Sequence, residues 1–320
     1  MNILITGGAG YIGSKVALDL INKNHRVFIV DNLISGKKLN IPKKCTFYKC
    51  DISNRSKILR IIEKNKIETV FHFAALISVG ESIKRPKTYI HNNYNKSKIF
   101  LNSCIKKKIK NFIFSSTAAV YGNKSFKVKE NSRRVPINPY GQSKLLFENY
   151  ILSLKSDVNF CILRYFNVAG ADNKLRIGQR GKNKPTHLIR KIIDSILIKK
   201  RFKIYGNNYN TKDGTAIRDF ININDLSDIH IKSMKYISKR NSKLLILNCG
   251  YGKGFSVKDV VLEAKKNYDF SYEIIGRRKG DAEYVVADNL KLKKILKWKP
   301  KFSSLSKILK SSLEWEKKNR

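Results

Sequence analysis

A chain of 320 residues, 42% of them hydrophobic, is long enough to bury a substantial core as one large domain or as two lobes closing on a cleft. Its 66 Lys and Arg against 24 Asp and Glu give a formal charge of +42, but the lysines run through every segment instead of forming one arm or stripe, so no specific nucleic-acid partner is expected. Met1 leads almost directly into an apolar segment without a basic leader, no apolar stretch reaches membrane-spanning length, and neither the five cysteines (Cys45, Cys50, Cys104, Cys161, Cys249) nor the five histidines form a metal-ligand spacing; a cytoplasmic protein with no membrane span, disulfide framework or metal is expected.

Residues Asn2 to Thr6 are apolar and β-favouring, Gly7-Gly8-Ala9-Gly10-Tyr11-Ile12-Gly13 follows, and Ser14 to Asn22 reads as an amphipathic helix. This is strand, glycine turn, helix: Gly7 permits the tight turn, Gly10 lets backbone approach a diphosphate, and Gly13 allows helix and strand to pack closely. A glycine pattern alone is weak, but its place between strand and helix strengthens it. The next strand, Arg26 to Val30, ends in Asp31, eighteen residues after Gly13. A carboxylate there accepts hydrogen bonds from an adenosine ribose and repels a 2′-phosphate, which favours NAD over NADP; the bland alternative is a turn residue before Asn32.

Strands at Cys45 to Cys50 (ending at Asp51-Ile52), Thr69 to Phe73 (ending in Ala74-Ala75) and Asn111 to Phe114 alternate with helices near Arg55 to Asn65 and Asn93 to Lys107. Such alternation specifies a parallel sheet with helices on both faces, and its ligand belongs beyond the carboxyl ends of the strands, where Asp31, Asp51, Ala74-Ala75 and Ser115-Ser116-Thr117 fall. In Asn138-Pro139-Tyr140-Gly141-Gln142-Ser143-Lys144, Asn138 can cap a helix and Pro139 suits its first position, so Tyr140 and Lys144 share a face. The spacing alone carries no information: with 15 tyrosines and 66 Lys+Arg in 320 residues about three Tyr-x-x-x-Lys/Arg pairs arise by chance, and Tyr11/Lys15, Tyr94/Lys98, Tyr140/Lys144 and Tyr236/Arg240 are present.

After Arg164-Tyr165-Phe166-Asn167 the alternation gives way to a basic, glycine-containing stretch from Lys174 to Lys184 that reads as an exposed loop. A helix from His187 to Lys199, a strand from Arg201 to Tyr205 and the turn-rich Gly206-Asn207-Asn208-Tyr209 follow, and Asp213-Gly214-Thr215 leads into Arg218-Asp219-Phe220-Ile221. Leu244 to Cys249 reads as a strand rejoining the parallel sheet, and a helix starts at Ser256. The segments Leu290 to Leu296 and Leu305 to Trp315 read as packing helices without chemistry. Residues 1–167 would form the cofactor domain, with 220–252 returning to it, and 168–320 mainly a second lobe.

The ordered motifs TGGAGYIG (from Thr6), Asp31-Asn32-Leu33, Asp51-Ile52, HFAA (from His72), SSTAAVYG (from Ser115), PYGQSK (from Pro139) and RYFNVAG (from Arg164) together resemble the extended short-chain dehydrogenase/reductase family, and within it the UDP-sugar 4-epimerases, along nearly the whole chain. The resemblance implies an α/β fold, a Rossmann-type doubly wound parallel sheet with a smaller mixed α/β C-terminal substrate lobe. It implies NAD as a retained cofactor, contacted by Gly7, Gly10, Tyr11, Ile12, Gly13, Asp31, Asn32, Asp51, Ile52, Phe73, Ala74, Ala75, Asn92, Ser115 and Phe166 together with Tyr140 and Lys144. Tyr140 would be the acid/base, Lys144 would lower its pKa and hold the nicotinamide ribose, and Thr117 would hydrogen-bond the reacting sugar hydroxyl. A free phenol titrates near pH ~10, so the ammonium, the nicotinamide charge and the helix N-terminus are expected to bring Tyr140 towards neutrality.

By the same resemblance Asn167, Arg218, Arg278 and Asp281 would bind the UDP-sugar, Arg218 and Arg278 through phosphate and Asp281 through a uridine ribose hydroxyl. The alternative for Arg218 is a structural salt bridge around Asp219. Related dehydratases and decarboxylases need an acid where this chain has Ala118 and Ala119, which disfavours those reactions, and the resemblance implies interconversion of UDP-glucose and UDP-galactose. Val285 falls where side-chain size governs acceptance of N-acetylated sugars, which leaves a UDP-N-acetylhexosamine or UDP-pentose epimerase as alternatives. A homodimer through the helices near Asn93 to Lys107 and Tyr140 to Lys155 is also implied. From another class, a non-catalytic NAD- or RNA-binding protein would account for the charge but not for an intact Thr117, Tyr140 and Lys144.

Overall fold

Short apolar runs alternating with amphipathic ones build, in order, β1 (Asn2–Thr6), α1 (Tyr11–Ile21), β2 (Arg26–Asp31), β3 (Thr46–Lys49), α2 (Arg55–Lys64) and β4 (Thr69–His72). Then come α3 (Val79–Lys84), α4 (Pro86–Ile90), α5 (Lys96–Lys106), β5 (Asn111–Thr117), α6 (Pro139–Ser153) and β6 (Asn159–Tyr165). The computed structural model describes residues 1–180, 186–240 and 243–319. Its remaining elements are β7 (Asn167–Ala169), α7 (Leu188–Leu197), β8 (Phe202–Tyr205), β9 (Ile217–Asn222), α8 (Ile223–Arg240), β10 (Leu244–Cys249), β11 (Gly254–Ser256), α9 (Val257–Lys265), β12 (Tyr272–Ile275), β13 (Tyr284–Val285), α10 (Leu290–Leu296) and α11 (Leu305–Asn319).

Seven strands form one parallel sheet in the order β10-β6-β5-β4-β1-β2-β3. Chain order reverses between β1 and β4, which opens the crevice where a doubly wound sheet receives its ligand. Successive residues of a strand face opposite ways, so Ile3 and Ile5 enter the core shared with Val16, Leu20, Leu226 and Ile229, while Leu4 enters the one shared with Ile58, Phe100, Phe112 and Phe147. Each of these fully buried side chains contributes about 1.5–3 kcal/mol relative to exposure. The second lobe has its own core, in which Ile189, Ile192 and Ile193 of α7 meet Phe220, Val260, Leu305, Ile308 and Leu309. Its sheets are small: β11-β9-β13 with β7 also on β9, and β12 beside β8. β9 runs without a break into α8, which packs against α1, β5 and β6 of the large sheet, so one continuous segment joins the lobes.

Several boundaries differ from the sequence reading for local reasons. α1 starts at Tyr11 and not Ser14, because Ser14 N donates to Gly10 O (3.1 Å) and draws Gly13 into the first turn. The helix expected from Asn93 begins at Lys96, preceded by a wide π turn over His91–Asn95. Such a turn re-aims one side chain. Here Asn93 is buried, its carboxamide pairing with both Leu76 O (2.9 Å) and Leu76 N (2.8 Å) and donating to Ser143 Oγ (3.0 Å). Of the basic stretch Lys174 to Lys184, the part beyond Arg180 lies outside the described residues. No described helix is long and apolar enough to cross a membrane.

Candidate active site

All of the residues expected at the site from the sequence line one cavity of about 760 Å³ along the carboxyl ends of β1, β2, β4, β5 and β6 and across to the second lobe. At its floor, Gly7 adopts φ +71°, and a Cβ there would lie 2.7 Å from Ala74 N; a Cβ on Gly13 would lie 2.4 Å from Gly7 O. Any side chain would push the turn, β4 and α1 apart. Gly10 faces open space save Gly7 O, and α1 begins behind it without a side-chain cap or an acid in its first turn. Backbone amides without such a cap, in a concavity too tight for side chains, suit a diphosphate. Asp31, at the tip of β2, holds this turn as well as facing the cavity: Oδ2 accepts from Ala9 N (3.0 Å) and Oδ1 from Leu33 N (2.8 Å).

Asp51 is different. Lys96 Nζ (2.7 Å) and Asn32 Nδ2 (3.1 Å) donate to its Oδ2, and the amide (2.9 Å) and hydroxyl (2.7 Å) of Ser53 donate to its Oδ1. Burial works against its charge, yet these donors hold it well below the usual carboxylate range. All four acceptor positions are filled, so Asp51 braces the cavity wall and offers a ligand no ready acceptor.

Around the reaction centre, α6 starts where the sequence indicated: Asn138 Oδ1 accepts from Gly141 N (2.8 Å), with Pro139 at the first position. This carries Tyr140 and the buried Lys144 to one wall, where Lys144 Nζ donates to Ser115 O (2.8 Å) and lies 4.9 Å from the centre of the Phe114 ring. Thr117, at the end of β5, lies close to the Tyr140 phenol and caps the following turn through Ala119 N (3.2 Å). Burial lowers Lys144 to about 7, opposed by the Glu148 carboxylate one turn along α6. Burial also raises Tyr140 above its ordinary value, although the nearby Thr117 hydroxyl acts the other way. In the protein alone desolvation is the largest influence on Tyr140, and Lys144 is hydrogen-bonded to the Ser115 carbonyl. His72 is buried beside Phe100, Phe112, Phe114 and Phe147. Its nitrogens bond Thr6 Oγ1 (2.7 Å) and Ser97 Oγ (2.8 Å), and burial, with Lys144 nearby, lowers it to about 3.

The opposite wall is cationic. Arg218, on β9, donates to Ile217 O (2.9 Å) and Glu283 O (3.4 Å) and forms no salt bridge among the described residues. The salt-bridge alternative fails because Asp219 points away to accept from the amides of Tyr251 (2.8 Å), Gly252 (2.8 Å) and Ala287 (3.2 Å). Arg278 and Asp281, expected to serve different parts of a ligand, instead grip each other through two bonds of 2.9 Å. Asn167 Nδ2 is buried in the cavity wall without a partner among the described residues, a donor awaiting an acceptor.

Two features escaped the sequence reading. α11 is not a packing helix alone, since Trp315, Glu316 and Asn319 line the cavity. Asn93, next to the expected Asn92, is the residue that ties Leu76 to α6, and Ser143 Oγ passes the contact on to Tyr140 O (2.7 Å). Both depend on contacts between segments far apart in the chain, and only the asparagine-rich run at 92–95 gives any local hint.

Residues 3–250 match the model of the NAD dependent epimerase/dehydratase family. The chain is 38% identical to a UDP-glucose 4-epimerase of Rhizobium leguminosarum bv. trifolii, over 99% of this chain and 98% of that one. Among solved structures, the UDP-glucose 4-epimerase of Bifidobacterium longum in complex with NAD+ and UDP superposes with a TM-score of 0.93 at 32% identity, covering 100% of this chain and 99% of the other. The UDP-Glc/GlcNAc 4-epimerase of Campylobacter jejuni gives a TM-score of 0.84 at 38% identity, covering 99% of both chains.

Proposed function

Because the chain belongs to the NAD dependent epimerase/dehydratase family, we propose that it interconverts UDP-glucose and UDP-galactose by NAD-dependent 4-epimerisation through a transient 4-keto sugar. The observation that carries the reading is the convergence of Thr117, Tyr140 and Lys144 on one wall of a cavity whose floor is the glycine turn and whose far wall holds Arg218, Arg278 and Asn167.

NAD would be held by the turn at Gly7–Gly13, by Asp31 and by Lys144, and when bound it supplies a positive charge that favours the phenolate and the site that takes hydride from sugar C4 and returns it to either face. Tyr140 takes the proton of the 4-hydroxyl as the ketone forms and gives it back as the alcohol is restored. Thr117, close to Tyr140, orients that hydroxyl between itself and the phenol. Arg218 offers the diphosphate a guanidinium that has no salt bridge among the described residues, and Asn167 Nδ2 a buried donor to a sugar or phosphate oxygen. Ala118 and Ala119 supply no acid for elimination or decarboxylation. Incubation with UDP-galactose should yield UDP-glucose with a transient absorbance of bound NADH; no conversion by protein that retains NAD would refute the reading.

Val285, on β13 beside Arg218, lines the sugar end of the cavity and supports a secondary activity on UDP-N-acetylhexosamines. Comparison of kcat/KM for the two substrate pairs should show the unsubstituted hexoses preferred, with Val285→Ser improving the N-acetylated pair by about tenfold, the range of a few methylenes in a pocket. N-acetyl turnover absent in both proteins would sink this part. We also take the chain to be a cytoplasmic homodimer. α5 and α6 lie side by side, joined by Tyr150 Oη to Asn102 Oδ1 (2.5 Å), with Ile99 and Leu152 exposed on them, and all five cysteines are free thiols, which fits a reducing compartment.

A further inference from the structure

Lys191 has no part in the roles assigned so far, yet it stands in the cationic wall. It lies in the first turn of α7, where Ile189, Ile192 and Ile193 are locked into the core of the second lobe and fix the helix. Leu188, three residues earlier and on the same face, lines the cavity with it. The ammonium lies 5.4 Å from the centre of the Tyr205 ring, and the Arg278 guanidinium lies 5.1 Å from the same ring. Two cations are thus gathered at one aromatic side chain. Lys203 and Arg190 also line the cavity but are paired with Glu273 and Glu316, whereas Lys191, like Lys37, Lys144 and Arg180 elsewhere in the lining, forms no ion pair among the described residues.

Asp281 is the acid coupled to this group: it grips Arg278 directly and acts at longer range on Lys191 and Arg218. Three cations and one carboxylate leave two positive charges. A diphosphate esterified to a nucleoside and a sugar carries two negative ones, and without Lys191 the wall would answer only one of them. We infer that Lys191 is a specificity-determining residue of this site, one that matches its charge to the diphosphate of a nucleotide sugar. The inference rests on the UDP-sugar reading above. Burial and the nearby Arg278 lower the Lys191 pKa, the condition in which an incoming dianion gains most by restoring the full charge.

The test is UDP binding to the NAD-loaded protein by calorimetry at several salt concentrations, alongside steady-state kinetics with UDP-galactose. Lys191→Gln should weaken UDP binding and raise KM by about tenfold, flatten the dependence of UDP affinity on salt, and leave kcat unchanged. Lys191→Arg should keep both affinity and salt dependence. Unchanged UDP affinity in Lys191→Gln, or a loss of affinity with the salt dependence intact, would overturn the inference, the second outcome meaning that Lys191 acts through packing. Wild-type protein that binds UDP but converts no UDP-galactose would refute epimerisation while leaving the charge match to be judged on binding alone.

Discussion

Tyr140→Phe is expected to lower kcat by about 10²–10⁴-fold, the usual contribution of a positioned general acid/base, and to leave NAD bound. The ring keeps its place because α6 is set by Asn138, Pro139 and the packing of Phe147 and Ile151, none of which touches the hydroxyl. Only the hydroxyl, which lies close to Thr117, is removed. Nothing on the glycine turn or at Asp31 changes. Lys144→Met should differ in kind: it removes a buried group tied to Ser115 O and reaching the cavity, so turnover and NAD retention should fall together. Assay of turnover and of NAD remaining after gel filtration separates the two variants. Near-wild-type turnover by Tyr140→Phe would place the proton transfer on another residue.

Arg164→Met should be the most damaging substitution away from the cavity, at about 3–5 kcal/mol in denaturant unfolding, as when one partner of a buried ion pair is removed. Arg164 reaches both oxygens of Glu148, at 3.0 and 2.7 Å, and both residues are almost wholly buried. The same guanidinium donates to Tyr121 Oη (2.7 Å) and Glu130 O (2.8 Å), so four acceptors lose a partner. Among the described residues Glu148 would keep hydrogen bonds from Ser116 and the partly exposed Arg134. Loss of the partner and not of the charge itself is what costs stability, so Glu148→Leu combined with Arg164→Met should be more stable than Arg164→Met alone. A double variant no better than the single one would show that the damage comes from packing.

Local signals carried much of the fold. The strand-turn-helix at Thr6 to Gly13, the strand ending in Asp31, the capped start of α6 and the strand Leu244–Cys249 each depend on a few adjacent residues whose chemistry admits little else. What stayed hidden were partners distant in the chain. Asp51 is as acceptable a ligand as Asp31 when read along the sequence. Only folding sets Lys96 against it, 45 positions away, and fills its acceptors. Arg218 beside Asp219 looks like an ion pair, but in a strand neighbouring side chains point to opposite faces, and the two never meet. Tyr140 shows the same limit in energetic form: motif and spacing locate the phenol, but its proton affinity depends on how deeply it is buried, which no local pattern records.

The last strand to enter the large sheet has a consequence for biosynthesis. β10 covers the outer edge of β6, but about eighty residues separate the end of one from the end of the other. A ribosome adding about 5–20 residues per second leaves that edge open for roughly 4–16 s after β6 has been made. During that interval a strand buried along its whole length in the finished protein, Asn159–Tyr165, presents unpaired amides and apolar side chains to other nascent chains on the same message.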